Sequence, residues 1–148
     1  DPETGKVEVL IKDLAMPNGI VFSPDGSRLY VADTGGHKRH PDPKYHDYPD
    51  TVTCYAVSKK GKLGKKLFTI DEGSDGMAVD VKGNLYLTHG QVQVYDADGK
   101  KLETIEVPEK PANVCFGGKD YKTLFITART SLYQVRLLHA GAMSLRKR

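Results

Sequence analysis

The stretch PNGIVFSPDGSRLYVADT, residues 17–34, decides the fold because the chain repeats it. It aligns with SDGMAVDVKGNLYLTHG at 74–90 and, more loosely, with ANVCFGGKDYKTLFITAR at 112–129. Each copy has a short apolar strand, a polar turn containing Gly or Asp, and a second apolar strand. First strands are predicted at 19–22, 77–81 and 114–116, and second strands at 29–32, 85–88 and 124–127. The turns Pro24-Asp25-Gly26 and Lys82-Gly83-Asn84 supply residues that accept positive φ, as tight hairpins demand, and 117–120 reads as a third such turn. Alternation then predicts third strands at 51–57, 91–95 and 131–135, with fourth strands at 63–70 and 101–107 in the first two copies.

Four antiparallel strands, repeated every roughly 40–60 residues without sustained helical periodicity, are the sequence form of a β-propeller blade. The fold class is therefore all-β, with about three four-stranded blades in one partial propeller over 1–148. Blades are expected at 17–70 and 74–107, and an incomplete last blade at 112–138. Residues 6–14, KVEVLIKDL, fit the outer strand of a preceding blade, and 139–148 read as a tail whose end is frayed. Propellers close with about four to eight blades. Three blades predict apolar end faces and unpaired edges, covered by a complementary N-terminal half or by a second copy of the chain.

Composition adds the bounds of an ordinary globular domain: 148 residues, 39% hydrophobic and 28% charged, with no Trp. The net charge is +3, and its basic residues are scattered through turns, so nucleic acid is not an expected partner. The densest cluster, KKGKLGKK at 59–66, is broken by glycines and reads as a solvated turn. No apolar run approaches the ~20 residues of a membrane helix, so no membrane is expected. The first residue is Asp1 and no basic-then-apolar leader follows, as expected of a chain starting at a processing boundary, and the compartment stays open. Cys54 and Cys115 lie in strand-like runs without metal or redox spacing and are predicted to be buried free thiols.

The repeat places Asn18, Asp75 and Asn113 at one register position, just before the innermost strand of each blade. In a propeller those positions converge on one mouth of the channel. Amide and carboxylate oxygens without thiols suit a hard divalent cation such as Ca²⁺ or Mg²⁺. Asn and Asp at such positions also cap turns, and both readings stand on spacing alone. The second strand returns to the same mouth, so Asp33, Thr34, His89, Arg129 and Thr130 should rim it. The segment 35–49 is longer than its counterparts and starts from that rim, where it could act as a lid or partner loop. Its His37, His40 and His46 lack the spacing and the cysteines of a zinc site and are expected to lie in a solvated loop.

Over almost its whole length the chain resembles the C-terminal half of the gluconolactonase and regucalcin (senescence marker protein) family, and most of all its bacterial gluconolactonases. The strings that carry the likeness are MPNGIVFSPDGSRLYVADT, SDGMAVDVKGNLYLTHGQVQVYDADGKKLETIEVP and PANVCFGGKDYKTLFITARTSLYQVRL. The resemblance implies half of a six-bladed propeller, one divalent cation in the channel and hydrolysis of sugar lactones. It implies Asn18 and Asp75 as metal ligands, with Asp75 also the candidate general base. Calcium is the first choice of ion, with Mg²⁺, Zn²⁺ or Mn²⁺ as others. Asn113, His89 and Arg129 become rim or substrate contacts, though a surface salt bridge for Arg129 and a hydrogen-bonded rim position for His89 are equally compatible. The family's third ligand, a Glu of the N-terminal half, has no counterpart here, so the 148 residues alone are expected to be inactive. Two other readings follow from the same residues: a non-catalytic calcium-binding propeller, and an inert half that associates with itself.

Overall fold

In the computed structural model, which describes residues 3–36 and 40–145, eleven strands form three antiparallel sheets. The first sheet is β1 (Pro17–Phe22), β2 (Arg28–Asp33), β3 (Thr51–Val57) and β4 (Leu63–Ile70), paired in that order. The second is β5 (Met77–Val79), β6 (Leu85–His89), β7 (Gln91–Tyr95) and β8 (Lys101–Ile105). The third has only β9 (Pro111–Gly117), β10 (Thr123–Ala128) and β11 (Ser131–Arg136). Single 3₁₀ turns at Pro43–Tyr45 and Ala142–Leu145 are the only helical pieces among the described residues, and none is long and apolar enough to cross a membrane.

The sheets stack face to face because their strands alternate. Leu85 and Leu87 of β6 join Tyr30, Val52 and Cys54 of the first sheet in one core. Tyr86, between them, points the other way and packs with Phe116, Leu124 and Ile126 of the third sheet. The Tyr86 and Phe116 rings meet edge to face at 5.1 Å. Each fully buried Leu or Ile contributes about 1.5–3 kcal/mol, so two such interfaces hold three sheets that could not stand singly. The hairpin turns follow their chemistry. Gly26 takes φ +71°, and Asp25 beside it accepts from the Ser23 and Ser27 hydroxyls and the Ser27 N–H. These donors hold the Asp25 carboxyl well below its ordinary range, at about 2.

Three expectations are corrected. Residues 6–14 form no strand: they pair with no sheet of this chain, although Glu8, Leu10 and Ile11 line a groove with Tyr55, Leu63 and Gly64 of the first sheet. The β8 ladder ends at Ile105, and the Val107 N–H instead donates to the Gln91 side chain. Cys54 is buried, but Cys115 is exposed, since it lies on the face of β9 turned away from the second sheet. The start of the tail is docked, the Val81 N–H donating to the Ala140 carbonyl at 2.9 Å and the Gly141 N–H to the Tyr121 carbonyl at 2.9 Å, whereas 146–148, at the end expected to fray, lie outside the described residues. The expected apolar end faces are present, with Ile20 and Phe22 of β1 and Leu132 of β11 all exposed.

Candidate functional site

β5 lies between β1 and β9, so the starts of the three innermost strands meet at one mouth. Two glycines allow this. A Cβ on Gly19 would sit 2.7 Å from the Asp75 carbonyl oxygen, and one on Gly76 only 2.0 Å from Asn113 Oδ1. Each Asn-Gly or Asp-Gly pair thus offers a polar side chain and, one residue on, a gap into which the next blade fits.

Buried hydroxyls and a carboxylate fix the backbone around these residues. Asp33, buried at the end of β2, accepts from the Ala15 and Met16 N–H groups at 2.7 Å each, which anchors the approach to Asn18. Ser74 donates to the Gly76 carbonyl at 2.7 Å and accepts from Thr88 N–H at 2.8 Å. Thr88 Oγ1 donates to the same carbonyl at 2.8 Å, and the Asp75 N–H reaches the Thr88 carbonyl at 3.2 Å. Asp75 is therefore rigidly mounted.

On this frame Asn18 Nδ2 donates to Asp75 Oδ1 at 3.1 Å, joining residues 57 positions apart. Asn18 is exposed and Asp75 half-buried, so both side chains open to solvent at the mouth. A half-turn of the Asn18 carboxamide would present its oxygen beside the carboxylate. One carboxylate and one amide oxygen are a donor set for a hard cation, which takes six to eight oxygens and would draw the others from water or other groups. Among the described residues no cluster of three or more His, Cys, Asp or Glu is arranged to hold a metal.

Asn113 lies at the mouth but turns its Oδ1 to the Val114 N–H at 2.8 Å, the local capping role rather than a contact with Asp75. Arg129 occupies the two-residue turn between β10 and β11 at φ +25°, exposed at the rim. His89 is held between carboxylates, with Nδ1 at 2.7 Å from Glu72 Oε1 and Nε2 at 3.2 Å from Asp50 Oδ2. With both nitrogens engaged, neither is left for a substrate hydroxyl. The Tyr95 hydroxyl donates to Glu72 Oε2 at 3.3 Å, and burial together with that carboxylate pushes its pKa up to about 12. Asp50 and Glu72 carry no repeat signal and are not among the expected site residues.

The long segment after β2 folds back on itself. The Gly36 N–H donates to the Tyr48 carbonyl at 3.0 Å. His40 Nε2 lies 3.1 Å from the Ala15 carbonyl, and His46 Nε2 2.9 Å from the His40 carbonyl. His37 lies outside the described residues.

The SMP-30/Gluconolactonase/LRE-like region matches residues 1–130. The chain belongs to this family. A gluconolactonase of Zymomonas mobilis is 30% identical over 139 residues, covering 89% of this chain and 38% of its own length. Regucalcin of Bos taurus is 39% identical over 138 residues, covering 89% of this chain and 44% of its own. A solved regucalcin of Agrobacterium tumefaciens, described as a calcium-binding protein, superposes with a TM-score of 0.68 at 30% identity, over 86% of this chain and 42% of that one. The chain thus spans less than half the length of each of these relatives, and its three antiparallel sheets are those of a partial β-propeller.

Proposed function

We propose that this chain contributes three blades to a sugar-lactone hydrolase, with Asn18 and Asp75 facing a divalent cation, calcium before Mg²⁺, Zn²⁺ or Mn²⁺. The 3.1 Å contact between these side chains at the channel mouth carries the reading. Its support is a rigidly mounted carboxylate whose remaining oxygen opens to solvent, in a family that includes named gluconolactonases. When bound, the cation polarises an ester carbonyl and acidifies a nearby water.

The chain's own residues do the rest. Asp75 takes a proton from water as the water oxygen bonds to the lactone carbonyl carbon. The ring C–O bond then breaks, and that proton passes to the departing oxygen, which becomes the hydroxyl of a hydroxy acid. Thr88 and Ser74 keep Asp75 from swinging away, and Asn113 and Arg129 flank the mouth where sugar hydroxyls would lie. Ring closure requires further blades, either a complementary half or a second copy.

The test is hydrolysis of glucono-1,5-lactone by the closed ring with and without calcium. Calcium-dependent turnover that Asp75→Ala removes supports the proposal, and turnover indifferent to Asp75→Ala refutes it. The likeness to a calcium-binding regucalcin favours a second reading, calcium held without catalysis. That reading predicts Asp75-dependent calcium binding and no turnover.

A further inference from the structure

After β11 the chain turns under the sheets, at the end of the channel opposite Asn18 and Asp75. The Leu137 N–H donates to the Lys122 carbonyl at 2.8 Å and the Gly141 N–H to the Tyr121 carbonyl at 2.9 Å, both in the connection between β9 and β10. Gly141 also makes an antiparallel bridge with Asp80, just past β5, where the Val81 N–H donates to the Ala140 carbonyl. Residues 137–141 therefore cross from the last sheet to the middle one at the far ends of their innermost strands.

Two features of the backbone serve this crossing. Gly141 is buried, and a Cβ there would run into Phe116 Cβ, so only glycine lets the segment lie this close to β9. Tyr121 takes a left-handed φ of +57°, rare for an aromatic residue, and its carbonyl is the one that accepts from Gly141. A strained residue of this kind persists where its surroundings hold it.

The crossing delivers the 3₁₀ turn Ala142–Leu145 to the channel side of the sheets. Ala142 packs on the core that Met77 and Val79 share with the first sheet. Ala142 and Met143 border a cavity of about 170 Å³ together with Val21, Met77 and Phe116, one residue from each innermost strand. They border a second hollow with Phe22 and Pro24 at the far end of β1. A turn that borders all three innermost strands at one end stands in the opening of the channel there.

We propose that residues 137–143 are a strap that stops the far end of the channel, with Ala142 and Met143 as its floor. Ligand and water then pass in and out through the Asn18–Asp75 mouth alone. The cavity above the floor is lined by apolar side chains and the Cys115 thiol, and such a space stays dry, so the floor blocks water as well as solutes. The inference rests on the propeller channel and is independent of the lactonase reading.

The test is thiol labelling of the complete ring, whose further blades wall the channel, with Cys115→Ser as background because Cys54 is buried. One reporter is placed at each end: Ala78→Cys in the cavity above the floor, and Asn113→Cys at the mouth. Deleting residues 140–145 should speed labelling of Ala78→Cys by a bulky maleimide by about tenfold or more, as expected of a local opening, and leave Asn113→Cys unchanged. Met143→Ala keeps the backbone bonds of the strap and should give a smaller rise in the same direction, which covers the case in which the deletion does not fold. A folded variant of either kind that labels Ala78→Cys no faster overturns the inference. So does a rise at both reporters together, which is general loosening. In the unaltered chain the Val81 and Gly141 amides should be protected from hydrogen exchange together, and an unprotected pair also overturns it.

Discussion

The two ends of β5 carry an aspartate each, and the two are used in opposite ways. Asp80, at the end away from the mouth, is fully buried and accepts from Lys82 N–H, Asn84 N–H, Asn84 Nδ2 and the Tyr86 hydroxyl at 2.8–3.3 Å. Asp75, five residues earlier, is half-buried, and its carboxylate meets one side-chain donor, Asn18. The same residue type is saturated in one place and under-used in the other. A saturated buried carboxylate holds a turn together. An under-used one on a rigid mount can face a cation at the cost of one exposed hydrogen bond, that from Asn18.

The contrast predicts a hierarchy of stability effects. Asp80→Ala strands several buried donors at once, each worth about 1–3 kcal/mol, so it should lower the unfolding free energy by about 3 kcal/mol or more in denaturant titration. A loss below about 1 kcal/mol would place Asp80 with Asp75 and break the comparison. His89→Leu comes next. It unties Asp50 and Glu72 of the first sheet's connections from the second sheet, and its partly exposed ion contacts point to a loss of about 1–2 kcal/mol.

A smaller effect is expected at Asp25, whose carboxyl titrates at about 2 rather than 3.8 because Ser23 and Ser27 donate to it. A folded-state pKa below the unfolded one gives stability that is complete above the unfolded value and lost as pH falls through the folded one. Thermal melting of the unaltered chain should therefore drop more steeply between about pH 4 and pH 2 than that of Asp25→Asn. Parallel curves would show that the turn gains nothing from the charge.

Period-two alternation and Gly-Asp turns made ten of the strand positions legible to within about two residues, because those signals are local. The pairing of Asn18 with Asp75 was legible for a different reason. The repeat puts Asn18 and Asp75 at one register position, and the close blade approaches at Gly19 and Gly76 lie beside them, though the same register also included Asn113, which turns to its own backbone instead. Asp50 and Glu72 were not legible, since they sit in connections of unequal length where no register applies. Residues 6–14 read as a strand, and their composition is that of one, but a strand is a property of a pair of segments. Cys115, expected to be buried, is exposed, because alternation does not say which face of a sheet is covered.

The central claim, that Asn18 and Asp75 act together toward a cation, is most directly tested by calcium titration of the chain followed through the Asn18 side-chain amide resonances. The account predicts a saturable shift of those resonances in the ~0.1–1 mM range typical of sites with few protein ligands. It further predicts that Asp75→Ala abolishes the shift while changing the unfolding free energy by less than about 0.5 kcal/mol. An Asn18 resonance that ignores calcium, or a calcium response that survives Asp75→Ala unchanged, would contradict it.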